Sequence, residues 1–225
     1  MACMETGADI LLIDKPKGIS SYDVIRRLRK RFRLAEPERT MPKLGHAGTL
    51  DPLATGLLII GVGSGTKKLH EYLKLPKKYE ATILLGMRTD TGDITGQVLK
   101  RARVPQFSVQ QINDALKLMV GELELPVPAY SAIKQGGKPL YKKARRGESI
   151  VLPLRKMTVR QAKAESITHS SDGTISVHAI FDVESGTYIR SLAEELGKRL
   201  GVPAAIADLR RISIGDFSIK NAEKI

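Results

Sequence analysis

A long β-hairpin in the C-terminal half of the chain is the feature that most constrains the fold. Met157–Ile167 and Ile175–Val183 flank Asp172-Gly173, a dipeptide typical of tight hairpin turns. Hydrophobic residues alternate along the second strand, so one of its faces is buried. The hairpin therefore predicts an antiparallel sheet with one face against a core.

Shorter segments on both sides of the hairpin predict the other elements. The predicted strands are Ile10–Ile13, Leu57–Val62, Tyr79–Leu85, Gln97–Arg103 and Arg211–Phe217. The predicted helices begin after Ser20 and span Thr66–Leu73, Ser108–Met119 and Tyr188–Leu200, and residues 34–50 read as a loop. Because helices lie between hairpins without strict alternation, we expect an α+β fold with a mixed, mainly antiparallel sheet flanked by helices.

Charge indicates the kind of partner. The 225 residues suit one large domain, and hydrophobic residues make up 42% of them, enough for a substantial core. The net charge is +13 and the isoelectric point is near 9.9. This balance favours a polyanionic partner, usually nucleic acid, although a merely soluble basic protein has the same composition.

One predicted helix concentrates that charge. Ser20 and Asp23 form a capping pattern, and Val24, Ile25, Leu28 and Phe32 share one side at helical spacing. The other side is basic, with Arg26, Arg27, Arg29, Lys30, Arg31 and Arg33. Such a face is usually just solvated, but it can also meet phosphate.

Cysteine and histidine usage argues against metal chemistry. Cys3 is the single cysteine, and the four histidines form no spaced pair of metal ligands. The apolar runs Ile10–Ile13 and Leu57–Val62 are too short for a signal-peptide core or a membrane span. We expect a cytoplasmic protein that contacts no membrane and needs no metal.

The densest candidate for chemistry is Gly45–Leu57, a loop with several glycines that runs into a buried strand. Asp51 precedes Pro52, which restricts its backbone to extended forms. A carboxylate held this way is a candidate nucleophile or base. Composition alone favours the alternative, in which Asp51 only bonds nearby backbone amides as a turn residue.

A second candidate joins the hairpin to the last helix. Arg190 falls in the first helical turn, where the helix dipole disfavours a cation, so a buried carboxylate partner would explain it. An ordinary surface arginine is an equal alternative. Tyr79, at a strand start, is either a core residue or a platform for a base.

Together these segments resemble the TruB family of tRNA pseudouridine synthases. Gly45–Gly56, with the run Asp51-Pro52-Leu53-Ala54-Thr55-Gly56, is similar to the active-site loop of that family. Asp14–Ser21 resembles its Lys-Pro motif, Tyr79–Asp93 its tyrosine segment, and Gly186–Arg190 with Leu209–Arg211 its third motif. The resemblance covers about residues 9–217 and is closer to bacterial tRNA enzymes than to guide-RNA-dependent relatives.

The resemblance implies a catalytic set. Asp51 is the catalytic aspartate, Arg190 pairs with it, and Tyr79 stacks on the target uracil and takes part in proton movement. Whether the aspartate attacks C1′, attacks C6 of the base, or removes a proton to give a glycal stays open. The isomerisation of uridine transfers no electrons, so no cofactor is expected.

Further residues are implied to bind or to support. His46 helps displace the target base, and Tyr188 and Leu209 lie by the site. Lys15 and Pro16 support the loop. A thumb insertion at about residues 121–153 grips RNA, and its cations include Lys134, Lys142 and Arg145.

The expected whole is a pseudouridine synthase fold over residues 1–225 with that thumb. The small C-terminal RNA-binding PUA domain of the family is expected to be absent or truncated. Glu124 and Val183-Glu184-Ser185 depart from the family pattern away from the expected chemistry. We expect a monomer that modifies uridine at position 55, in the T-arm stem-loop of tRNA. A non-catalytic RNA binder, a synthase for another RNA or with a guide, and a carboxylate-pair hydrolase are the alternatives.

Overall fold

A computed structural model of the chain describes residues 9–38 and 40–225. Cys3 lies outside the described residues. The chain divides into two compact units. The first unit runs to Tyr79 and also contains Arg210–Ile225, and the second unit is Glu80–Leu209.

Strands dominate both units. Among the described residues the strands are β1 (Ile10–Lys15), β2 (Leu44–Ala47), β3 (Thr55–Val62), β4 (Lys77–Leu85), β5 (Met87–Thr89), β6 (Val98–Arg101), β7 (Gly121–Pro126), β8 (Lys134–Gln135), β9 (Lys138–Pro139), β10 (Leu154–His169), β11 (Ile175–Val183), β12 (Ala204–Ile214), β13 (Phe217–Ser218) and β14 (Glu223–Lys224).

Helices are fewer and mostly short. The α-helices of the described part are α1 (Ser21–Ala35), α2 (Leu69–Lys74), α3 (Val109–Lys117), α4 (Leu140–Ala144) and α5 (Ile189–Arg199). In the described residues, one 3₁₀ helix covers Gly63–Lys68 and another covers Ile219–Asn221. No described helix combines the length and the apolar character needed to cross a bilayer.

In the first unit, β3 is the central strand. It pairs antiparallel with β1 and β2, and its start pairs parallel with β12 through Arg210 and Arg211. Leu58 and Ile60 pack with α1, whereas Leu57 and Ile59 pack in a second cluster with Ile214. Both faces of β3 are therefore covered, which explains its unbroken apolar run.

Helix α1 begins where the sequence predicted. Ser20 is the N-cap, its Oγ accepts a hydrogen bond from the Asp23 amide at 3.1 Å, and the Asp23 carboxylate accepts from the Ser20 amide at 2.9 Å. Val24, Ile25 and Leu28 are buried, as their spacing indicated. The predicted capping box and apolar face are confirmed.

In the second unit, the predicted hairpin is confirmed as β10 and β11, with β10 longer than expected. The strand order here is β12, β4, β11, β10 and β7. The β10–β11 register shifts between Ala164 and Ser166. At this irregularity the Asn113 side chain of α3 donates to the Ala164 carbonyl at 3.1 Å and accepts from its amide at 2.8 Å.

Three sequence predictions were wrong in extent. Residues 34–50 contain the short strand β2. It was not predicted because its Gly45 has a low strand propensity. The excursion at 121–153 opens with β7, in which Leu123 and Leu125 alternate with glutamates against β10. The last strand, predicted to start at Arg211, already starts at Ala204, because burial of small residues there outweighs weak strand preference.

The Asn113 contact yields a stability prediction. Asn113→Ala leaves both backbone groups of Ala164 without their side-chain partner, so we expect the free energy of unfolding to fall by about 1–3 kcal/mol. Denaturant titration measures it. Gln110→Ala is the matched control, since that amide bonds the exposed Asp114 and its loss should change little. Equal stability of the two variants would contradict the prediction.

Candidate active site

The loop that carries Asp51 lies between β2 and β3 in the first unit. It follows Ala47 and returns to the sheet at Thr55. Gly48 and Gly56 have φ of +86° and +105°. A Cβ on Gly56 would lie 2.3 Å from the Arg211 carbonyl oxygen, so only glycine permits this approach of β3 to β12.

Residues on both sides of Asp51 are bonded to the segment after β1, namely to the turn and to the first residue of α1. The Leu50 amide donates to Ser21 Oγ at 2.8 Å, and that hydroxyl donates to the Leu50 carbonyl at 3.2 Å. The Gly18 amide donates to the Pro52 carbonyl at 2.8 Å. The half-buried Asp51 is thus held in a loop that is bonded immediately before and after it.

Arg211 fastens the same loop from the opposite strand. Its side chain is only 1% exposed. Its Nε donates to the Leu57 carbonyl at 2.7 Å and its Nη2 to the Gly48 carbonyl at 3.0 Å. The guanidinium therefore links the two ends of the loop. Beyond the motif that contains Arg211, no sequence pattern indicated this role.

Lys15 lies within electrostatic reach of Asp51. It is 0% exposed, and its Nζ donates to the carbonyls of Pro16 at 3.0 Å and Ile19 at 2.7 Å. Burial lowers the pKa of Lys15 to about 8, and the Asp51 charge opposes that shift. Lys15 thus bonds the turn whose Gly18 contacts the loop, and the supporting role of Lys15 and Pro16 stays a prediction.

His46 is a neighbour of the loop on β2. Burial, and next the charge of Arg211, lower the pKa of His46, which favours the neutral ring. Its Nδ1 is buried and has no hydrogen-bond partner among residues 9–38 and 40–225. The ring is therefore held by packing and not by a polar contact at that atom.

Arg190 of the second unit is buried, 5% exposed, at the second position of α5. Its Nη1 donates to the Thr91 carbonyl at 2.7 Å and its Nη2 to the Tyr130 carbonyl at 3.0 Å. The Tyr130 hydroxyl in turn donates to Asp90 at 3.2 Å. Two backbone carbonyls thus bond the guanidinium of Arg190, whose place in the first helical turn had led us to expect a buried carboxylate partner.

The remaining predicted residues are divided between the units. Tyr79 is 8% exposed in β4 and ends the first segment of the first unit. Leu209 is buried in β12 of the second unit. Tyr188 is the N-cap of α5, and its amide donates to Met157 Sδ at 3.5 Å. The first unit thus holds Asp51, Tyr79, His46, Lys15 and Pro16, and the second holds Arg190, Tyr188 and Leu209.

The predicted thumb cations lie in the second unit. Lys134, Lys142 and Arg145 are all exposed. The β8–β9 hairpin turns at Gly136-Gly137, with φ of 61° and 78°. A cleft of about 200 Å³ lies beside it, lined by Gly137, Lys138, Pro139, Lys142, Lys143, Arg146 and Glu148. The lining is rich in cations, which suits an anion.

Comparison with known proteins identifies the class. A family model described as "TruB family pseudouridylate synthase (N terminal domain)" matches residues 33–189. A protein of Leifsonia xyli named tRNA pseudouridine synthase B is 41% identical over 97% of this chain and 71% of its own length. Proteins of the same name are 45% identical in Xanthomonas campestris, over 92% and 64%, and 39% identical in Mycobacterium tuberculosis, over 98% and 71%. The chain thus spans 64–71% of these relatives.

Solved structures agree on the fold. A chain from a Cbf5-Nop10-Gar1 complex has a TM-score of 0.69 and 25% identity, over 96% of this chain and 52% of its own. A chain from an H/ACA RNP bound to a substrate RNA containing 2′-deoxyuridine has a TM-score of 0.67 and 24% identity, over 96% and 50%. The predicted α+β pseudouridine synthase fold is confirmed.

The fold and these similarities define a pseudouridine synthase. Within that class, the chain belongs to the TruB family.

Lys15 yields a pH prediction. Because the pKa of Lys15 falls to about 8 on folding from 10.5, the unfolded chain binds more protons between these values, so this group makes stability rise with pH there. We expect Lys15→Met to remove that part of the rise. Unfolding titrations from about pH 7.5 to 10.5 measure it. The exposed Lys43→Met should keep the wild-type slope, and an unchanged slope in Lys15→Met would contradict the prediction.

Proposed function

We propose that this protein converts uridine to pseudouridine at position 55, in the T-arm loop of tRNA, with Asp51 as the catalytic carboxylate. The observation that carries the proposal is 39–45% identity, over nearly the whole chain, to relatives named tRNA pseudouridine synthase B. The anchored Asp51 loop supports the choice of residue.

The reaction makes limited demands on the protein. The N1–C1′ bond of uridine breaks, the base turns, C5 bonds C1′, and the proton of C5 is lost while N1 gains one. Because no electrons enter or leave, a positioned acid–base group and a site for the displaced base suffice. The target nucleotide must leave its stack to be reached.

Asp51 has to be ionised in each of its possible roles. A carboxylate attacks C1′ or C6 only as the anion, and only the anion removes a proton from C2′ to give a glycal. A nearby cation favours the ionised form. Lys15, whose charge interacts with Asp51, supplies such a cation inside the first unit.

The other members of the proposed set have separate tasks. Tyr79 stacks on the uracil, Arg190 supports the charge of the aspartate, and His46 helps displace the target base. Tyr188 and Leu209 shape the site. A neutral His46 suits a contact with a base better than a contact with phosphate, and the lowered pKa of His46 supports that assignment.

The proposal also defines the partner and the setting. The exposed Lys134, Lys142 and Arg145 bind phosphates of the T-arm stem-loop, without a guide RNA and without a cofactor. The enzyme acts as a cytoplasmic monomer. Synthases that need a guide are the competing class, and the higher identity to the tRNA enzymes than to the Cbf5 structures favours a direct tRNA substrate.

A single substitution tests the catalytic assignment. We expect Asp51→Asn to lower the rate of pseudouridine formation about a hundredfold or more, since the amide cannot act as base or nucleophile. Release of tritium from C5-labelled uridine in an unmodified tRNA transcript measures the rate. Asp216→Asn, the same change in the exposed turn before β13, should leave it unchanged. Turnover of Asp51→Asn near the wild-type rate would end the assignment.

A variant of Arg190 tests whether this residue acts in catalysis or in RNA binding. We expect Arg190→Ala to lose most activity while its dissociation constant for tRNA stays within about threefold, because the buried guanidinium donates to protein carbonyls. Filter binding and single-turnover rates give the two values, and circular dichroism checks the fold. Weaker tRNA binding with full turnover at saturation would make Arg190 a phosphate contact instead.

A further inference from the structure

Helix α1 carries a dense set of cations that the proposed reaction does not use. Six basic residues are all exposed within its 15-residue span. They are Arg26, Arg27, Arg29, Lys30, Arg31 and Arg33. A basic face of this kind is usually solvated, and its density also suits an anionic partner.

Acidic neighbours satisfy only part of the set. Arg26 pairs with Asp23, and Arg31 pairs with Glu223 at 3.4 Å. Within the described part of the chain, no acidic side chain pairs with the other four, Arg27, Arg29, Lys30 and Arg33. We call these four residues the α1 basic face.

The spacing of these cations also disfavours leaving them unpartnered. Arg29 and Arg33 stand four residues apart, as do Arg26 and Lys30, which brings like charges together on a helix surface. Four residues advance about 6 Å along the axis. A polyanion laid along the helix would relieve this repulsion.

The apolar side of α1 indicates whether the anionic partner is a membrane or a nucleic acid. A basic amphipathic helix binds a membrane only if its apolar side can enter the lipid. Here Val24, Ile25 and Leu28 are buried in a core cluster with Leu58 and Ile60. The apolar side is therefore occupied, and nucleic acid is the better partner.

The face is suited to phosphates and not to stacked bases. In the described helix Tyr22 is the exposed ring at its start, and Arg26 lies 5.8 Å from the ring centroid. A single-strand platform would need successive aromatic residues. Regularly spaced cations instead match the backbone of a double-stranded stem, which proteins contact by its shape and phosphates.

The helix starts at the proposed catalytic loop. Ser21, its first residue, bonds both the amide and the carbonyl of Leu50, the neighbour of Asp51. At about 1.5 Å per residue, Arg27 lies about 9 Å and Arg33 about 18 Å farther along the axis. RNA that delivers a nucleotide to this loop and continues along α1 would meet the face.

We propose that the α1 basic face binds the phosphate backbone of the double-stranded stem that adjoins the target loop of the substrate RNA. This inference rests on the proposed function and adds a second contact surface to the thumb. Each phosphate contact adds about 0.9 to the dependence of log affinity on log salt for a B-form duplex, and we take a similar increment for the stem.

A quadruple variant tests the proposal. R27Q/R29Q/K30Q/R33Q removes the charges with a residue that also favours helix. Its affinity for an unmodified tRNA transcript should show a salt slope smaller by about three to four. Between about 50 and 200 mM salt, the wild type should then lose about a hundredfold more affinity than the variant. Turnover at saturating tRNA should stay at the wild-type rate.

The control removes equal charge elsewhere. K100Q/K117Q/K163Q/K220Q changes four exposed lysines outside α1 and should lower the slope by less than one. Equal slopes for the two variants would overturn the proposal, as would an affinity loss that is the same for an unstructured uridine oligonucleotide. Loss of binding to vesicles of phosphatidylcholine with phosphatidylserine, with tRNA binding intact, would assign the face to membranes. If the wild type forms no pseudouridine yet the slopes differ as expected, the function fails and the surface stands.

Discussion

The buried guanidinium of Arg211 is the interaction on which the first unit depends. A charge without solvent is costly unless hydrogen bonds replace its hydration. Here the carbonyls of Gly48 and Leu57 accept two such bonds, and they stand on opposite sides of Asp51. Removing either hydrogen bond would leave the buried guanidinium with an unsatisfied donor. The free-energy cost of that loss keeps the loop bound to β12. The missing Cβ of Gly56 lets the two strands approach closely enough for this contact.

The loop is also bonded to the turn after β1, which brings a second buried cation near the carboxylate. Ser21 and Gly18 hold the residues that flank Asp51, and Lys15 holds the turn by bonding the carbonyls of Pro16 and Ile19. The same lysine both shapes the backbone and contributes charge. Its depressed pKa shows that burial outweighs the attraction of Asp51, so structural and electrostatic roles compete at one side chain.

Sequence patterns predicted the elements whose signals are local. The hairpin of β10 and β11 follows from alternation and Asp172-Gly173, and α1 and α3 follow from their capping boxes at Ser20 and Ser108. Strands β2 and β7 and the first half of β12 were not predicted, because pairing partners distant in sequence stabilise them. Asp51 was singled out through its motif, and its catalytic role stays a prediction. The burial of Arg211 could not be predicted, because nothing in the sequence distinguishes an arginine that bonds buried carbonyls from an exposed one. The carbonyl partners of Arg190 likewise come from loops around 91 and 130.

The double attachment of the Asp51 loop has an evolutionary consequence. With its ends bound to Arg211 and its middle to Ser21 and Gly18, the segment between Gly48 and Leu57 tolerates neither an inserted nor a deleted residue without breaking a buried contact. We therefore expect insertions and deletions within the family to avoid this stretch. We expect length changes to fall instead on exposed segments such as the Gly136-Gly137 hairpin, where no atom lies within 4 Å of a Cβ placed on either glycine.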